Sequence, residues 1–158
     1  MKKVFAIVLS ACLVLLCLAG CGGGSVKASV TDIADALKAT AAVENPMAID
    51  DDEMNYNMGM TMDNIDSYAG YYTGVTGHSG TVVAIKAKSG KVNDVKTELE
   101  TYRAKNADFL SNYPEFATAK TQAENGRVVA KGDVVVLVIA ADGVDYSAVD
   151  SAIETALQ

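Results

Sequence analysis

The sequence predicts an α+β fold: a four-stranded, mostly antiparallel sheet with helices packed on one face, after an N-terminal signal peptide and a flexible tether. Three observations carry this. Apolar, β-branched runs supply strand material: GTVVAIKAK at 80–88, RVVA at 127–130 and DVVVLVIAA at 133–141. Around them, apolar residues recur every three to four positions, the period of a helix buried along one side. At the front, an uncharged run over residues 4–19 leads into a string of glycines.

Met1-Lys2-Lys3 followed by that uncharged run is the layout of a secretory signal, and the run is short of the roughly 20 residues a membrane span needs. It ends Leu18-Ala19-Gly20-Cys21, which resembles the bacterial lipobox: an aliphatic residue, two small ones and an obligatory cysteine. The resemblance implies a diacylglyceryl group on the Cys21 thiol and cleavage before Cys21, followed in many bacteria by N-acylation of the new amino group. A thiolate is the nucleophile that thioether formation requires. Two or three acyl chains on one residue anchor durably where a single chain is marginal. Residues 1–20 are then a lipoprotein signal peptide, 21–29 the lipidated cysteine with its tether, and 30–158 a single globular domain. The expected address is the extracytoplasmic face of the cell membrane. Cys12 and Cys17 leave with the signal, so the mature chain keeps one cysteine and no disulfide.

Losing Lys2 and Lys3 takes the formal net charge from −7 to −9. That balance excludes nucleic acid as a partner, which needs a basic footprint, and excludes electrostatic adhesion to anionic lipid. The tether from Gly22 to Ser29 reaches no further than about 28 Å.

Ser29-Val30-Thr31-Asp32 reads as a capping-box variant opening a helix over 30–43 that ends before Asn45-Pro46. The acids Asp50, Asp51, Asp52 and Glu53 can start a short helix running to Met58, because acids favour the positive end of a helix. A strand is expected over 67–73, then a hairpin loop at TGHSG, then a strand over 80–88. Val92, Val95, Leu99, Tyr102, Phe109, Leu110 and Tyr113 mark a long helix stopping before Pro114. A short helix over 116–124 follows, then turns at Asn125-Gly126 and Lys131-Gly132 that frame a hairpin. Val149, Ile153, Ala156 and Leu157 put one apolar face on a closing helix capped by Asp145 or Ser147.

The lipobox, the helix VTDIADALKA, the VVAIKAK strand feeding KVNDVKTELETYRA and the NGRVVAKGDVVVLVIA hairpin, taken in that order, resemble an uncharacterised family of small lipoproteins of Gram-positive anaerobic bacteria. The resemblance implies a fold and an address, and no functional residue other than Cys21.

Gly77-His78-Ser79-Gly80-Thr81 sets a serine among glycines, but Thr81 breaks the G-x-S-x-G nucleophile pattern. His78 is the chain's one histidine and is adjacent to the serine in sequence, which favours a loop over a catalytic pair. The acids 50–53 fail the calcium-loop pattern, with Tyr56 at its sixth position and Met62 at its twelfth. Met58, Met60 and Met62 alternate, and on an extended strand their thioethers would share a face. Soft sulfur ligands select Cu(I), which makes copper handling the alternative function; methionines also fill cores and line adaptable binding surfaces. With Met54, Tyr56, Tyr68, Tyr71, Tyr72 and His78 they define a candidate interaction surface, tyrosine being suited to interfaces. No acid, base and nucleophile converge. The expectation is a non-enzymatic binding module, without cofactor, held to the membrane through the acyl chains on Cys21, with an envelope protein or a small ligand as partner.

Overall fold

The computed structural model describes residues 25–158. The predicted signal peptide, Cys21 and the first glycines of the tether lie outside the described residues.

Helix α1 (Val30–Thr40) starts as its sequence requires. The Ser29 hydroxyl accepts from the Asp32 backbone N–H at 3.2 Å and donates to the Asp32 carboxylate at 2.7 Å. Ser29→Ala should therefore lower stability by about 1 kcal/mol in urea unfolding, the ordinary worth of an N-cap. The helix ends at Thr40, short of the expected 43, because the chain turns at Ala42 with a φ of 51°.

A three-residue strand β1 (Pro46–Ala48) follows, then a turn of π-helix over Glu53–Asn57 whose entry is capped by the Asp50 carboxylate, 2.8 Å from the Glu53 N–H. Strands β2 (Ile65–Thr73) and β3 (Thr81–Ala87) form the expected hairpin around TGHSG. Helix α2 (Val92–Leu110) and helix α3 (Ala117–Asn125) lead to the second hairpin, β4 (Arg127–Lys131) and β5 (Val134–Ile139). Helix α4 (Tyr146–Ala156) closes the chain, with the Asp145 carboxylate accepting from the Ser147 N–H at 2.9 Å.

Two expectations are corrected. The sheet has five strands, in the order β1-β2-β3-β5-β4, with every neighbouring pair antiparallel. The extra edge strand is β1, whose Pro-Met-Ala has neither length nor alternation; its partner β2 supplies the order, pairing Tyr71, Tyr72 and Thr73 with it. The helices also cover both faces instead of one. The cause lies in the two central strands, which are buried throughout or nearly so and must shed apolar side chains both ways. Val82, Ala84, Val134, Val136 and Val138 point to one side, into a core with Ile33 and Leu37 of α1 and Val149 and Ile153 of α4. Val83, Ile85, Val135, Leu137 and Ile139 point to the other, against Val95 and Leu99 of α2 and Ala119 and Ala123 of α3. Val26, expected in the free tether, packs against the first of these cores.

At Gly70, in the middle of β2, a Cβ would lie 2.6 Å from the Val82 carbonyl oxygen and 2.8 Å from Ile49, so only glycine lets Ile49 close over the sheet.

Candidate functional site

Antiparallel pairing gathers the start of β3, the end of β2 and the end of β5 at one pole, since Thr81 pairs with both Tyr72 and Ile139. The C-terminal end of α2 reaches the same pole. Between them lies a cleft of about 220 Å³, walled by the 73–80 loop on one side and by Tyr102, Asn106, Phe109 and Leu110 of α2 on the other.

The loop is held in place by polar stitching. The Thr73 hydroxyl donates to the Glu44 carbonyl at 2.9 Å and accepts from the Val75 N–H at 3.2 Å. The Gly74 N–H reaches the Asn45 carbonyl at 3.1 Å. Gly77, at a φ of 80°, lies so close under Phe116 that a Cβ would stand 2.2 Å from its ring. Gly77→Ala should cost about 2 kcal/mol in urea unfolding, through overpacking and a disfavoured backbone, and should displace Phe116 from the loop.

His78 and Ser79 both have partners, and neither partner is the other. The His78 Nδ1 is 2.8 Å from the Glu44 carboxylate. A carboxylate only accepts there, so Nδ1 carries the hydrogen, and in the neutral ring Nε2 is left as an acceptor. The buried Ser79 hydroxyl is 2.7 Å from the Ala140 carbonyl and 3.0 Å from the Asp142 carboxylate, and donates its proton to these two. This ties the loop to the end of β5. The serine is a fastener, with its proton directed away from any imidazole.

On the opposite wall, burial pushes the Tyr102 phenol above its ordinary range, while Thr81 and Asn106 beside it pull it back. Phe109 stands 60% exposed at the mouth. Its ring lies 5.4 Å from that of Tyr113, tilted by 53°, and Tyr113 lies 5.3 Å from Phe116. These aromatics form one rim around the end of α2.

Of the residues singled out from the sequence, the structure brings Tyr72 and His78 to the cleft and disperses the rest. Met54 is fully buried, and Met58 and Met60 are 4% and 2% exposed in the core against α2. Met62 is partly buried against the same core. The extended strand that would align three thioethers does not form: residues 58–61 are a loop turning at Gly59, with the Met60 N–H returning to the Met54 carbonyl at 2.9 Å. Tyr56 is 77% exposed, away from the cleft. Tyr71 lies on the α1 face, its hydroxyl donating to Asp35 at 2.8 Å and Lys38 resting 3.7 Å over its ring. Tyr68 donates to the Asp51 carboxylate, and burial followed by that bond pushes it up to about 12.

Tyr102 and Tyr146 are raised too, each by burial first. A phenol whose folded pKa exceeds its unfolded value near 10 favours the fold below that pH and loses the contribution as pH climbs through the folded value. Stability should therefore fall between pH 10 and about 12. Absorbance at 295 nm should show these tyrosines ionising later in native protein than in urea, with Tyr68→Phe removing part of the late component.

The cleft residues missed from the sequence are Tyr102, Asn106 and Phe109. Their spacing, by four and three, sets them on one face of α2, but the aromatic pair reads there as part of the apolar stripe. Among the described residues no three His, Cys, Asp or Glu side chains are placed to hold a metal ion, and no helix is long and apolar enough to cross a membrane.

The model of one protein family, a domain of unknown function (DUF4358), matches residues 39–140. The chain belongs to this family. The DUF4358 match takes in all five strands, α2, α3 and every residue lining the cleft, and leaves out α4 and most of α1. It agrees with the resemblance to an uncharacterised family; lipidation and bacterial source form no part of the match. No curated protein matches the chain, and no solved structure does.

Proposed function

We propose that this DUF4358 chain is an extracytoplasmic lipoprotein, anchored through Cys21, whose folded part is a non-enzymatic binding module with the cleft between the 73–80 loop and α2 as its binding site. One observation supports the binding reading above others. The cleft has an exposed aromatic lip and a lining of mixed polar and apolar side chains, while its one serine and one histidine are spent on holding the loop. A site with a nucleophile would keep serine and base within reach of each other. The anchor rests on the sequence at 18–21.

Photo-crosslinking in cells tests the binding reading. A benzophenone side chain introduced at position 109 should capture envelope material. The same group at position 56, which is exposed but off the cleft, should not. Equal capture at both positions would overturn the reading, as would a hydrolytic activity that Ser79→Ala abolishes without unfolding the protein.

A further inference from the structure

We infer that the cleft takes an uncharged, hydroxyl-bearing ring of single-sugar size; this rests on the binding-module reading and names its ligand class. The lining contains no Asp, Glu, Lys or Arg, in a chain where these make up 21% of residues. A charged ligand entering there would shed water and meet no counter-charge, which is costly. Glu44 and Asp142 stand behind His78 and Ser79 and are hydrogen-bonded to them. Their negative charge disfavours an anion.

The polar groups that face the cleft suit hydroxyls. Thr81 and Asn106, set beside the Tyr102 phenol, carry with it groups that both donate and accept, and His78 adds the ring nitrogen not turned to Glu44. A hydroxyl is the ligand group that satisfies such mixed partners without choosing between them. Phe109 supplies an apolar face at the mouth. Its ring and that of Tyr113 are tilted, so they form no parallel slot for a flat base, whereas the C–H face of a puckered ring can lie against Phe109 alone. The cleft volume of about 220 Å³ has room for one ring of single-sugar size.

The test uses the full chain in a sugar-free detergent. Saturation-transfer NMR would be recorded with glucose, N-acetylglucosamine, glucosamine and glucuronate. At least one neutral sugar should bind, with both charged sugars weaker by about tenfold or more. Tyr102→Phe and Phe109→Ala should each weaken it by about tenfold, the scale of one lost contact. Phe109 is exposed, so its variant spares the core, and Tyr102→Phe removes one oxygen. Chitobiose run beside its monomer separates a glycan end, which both mimic, from a free sugar, which only the monomer does. The inference falls if a charged sugar binds as tightly, if no neutral sugar binds, or if both variants bind like the parent. Cleft-dependent crosslinking without sugar binding would remove this ligand class and leave the binding module standing. Loss of both would remove both.

Discussion

Leu137→Ala should lower the unfolding free energy by about 2–5 kcal/mol, the cost of emptying a buried leucine site. Leu137 is fully buried at the centre of β5, facing Val83, Ile85 and the α2 side of the core. Its neighbour Val136 is equally buried but faces α1 and α4. The two substitutions together test the architecture. In a sheet covered on one face only, one of these adjacent residues would look into solvent and its replacement would cost almost nothing. With helices on both faces each should be expensive, Val136→Ala somewhat less for its smaller side chain. Urea unfolding of both variants measures this, and a cost under about 0.5 kcal/mol for either, the range of ordinary surface substitutions, would contradict the two-sided core.

Cys21→Ala should abolish fatty-acid labelling altogether and leave a precursor that keeps residues 1–20. The thiol is the only group at that junction able to form the thioether, and hydroxyls nearby, such as Ser25, are poor substitutes as nucleophiles. Metabolic labelling with a radioactive or alkyne-tagged fatty acid, followed by gel electrophoresis of membranes, gives the answer. A variant that is still labelled and normally processed would refute the proposed anchor. The fold should not depend on this residue, so the variant's melting curve should match that of the parent.

Much of the fold was legible because local pattern and tertiary demand agree. Ser29 and Asp145 announce their helices by cap chemistry that works within four residues. The two hairpins are marked by glycines at their turns, such as Gly132 at a φ of 59°. What was not legible depended on partners distant in sequence. β1 is a strand only because β2 presents an open edge to it. The second covered face required reading VVAIKA and VVVLVI as buried on both sides, so that helices must cover each face. The site was harder still. Met58 and Met60 drew attention as an ordered triplet with Met62, yet loop geometry sends them inward. Phe109 has the spacing of a core residue, yet it stands exposed between the buried Ala107 and Leu110.

The two ends of α1 are held differently. Its far end is tied to the cleft pole, where the Ala141 N–H meets the Ala41 carbonyl at 2.8 Å and Glu44 meets His78. Its near end is preceded by Val26, seated on the core. Eleven helical residues separate these ends by about 16 Å. Under the proposed anchoring this sets a posture. With Val26 docked, the slack between lipid and protein shrinks to five residues, or about 17 Å. Such an anchor would keep the Val26 end of α1 close to the lipid, while the cleft pole sits at the other end of that helix.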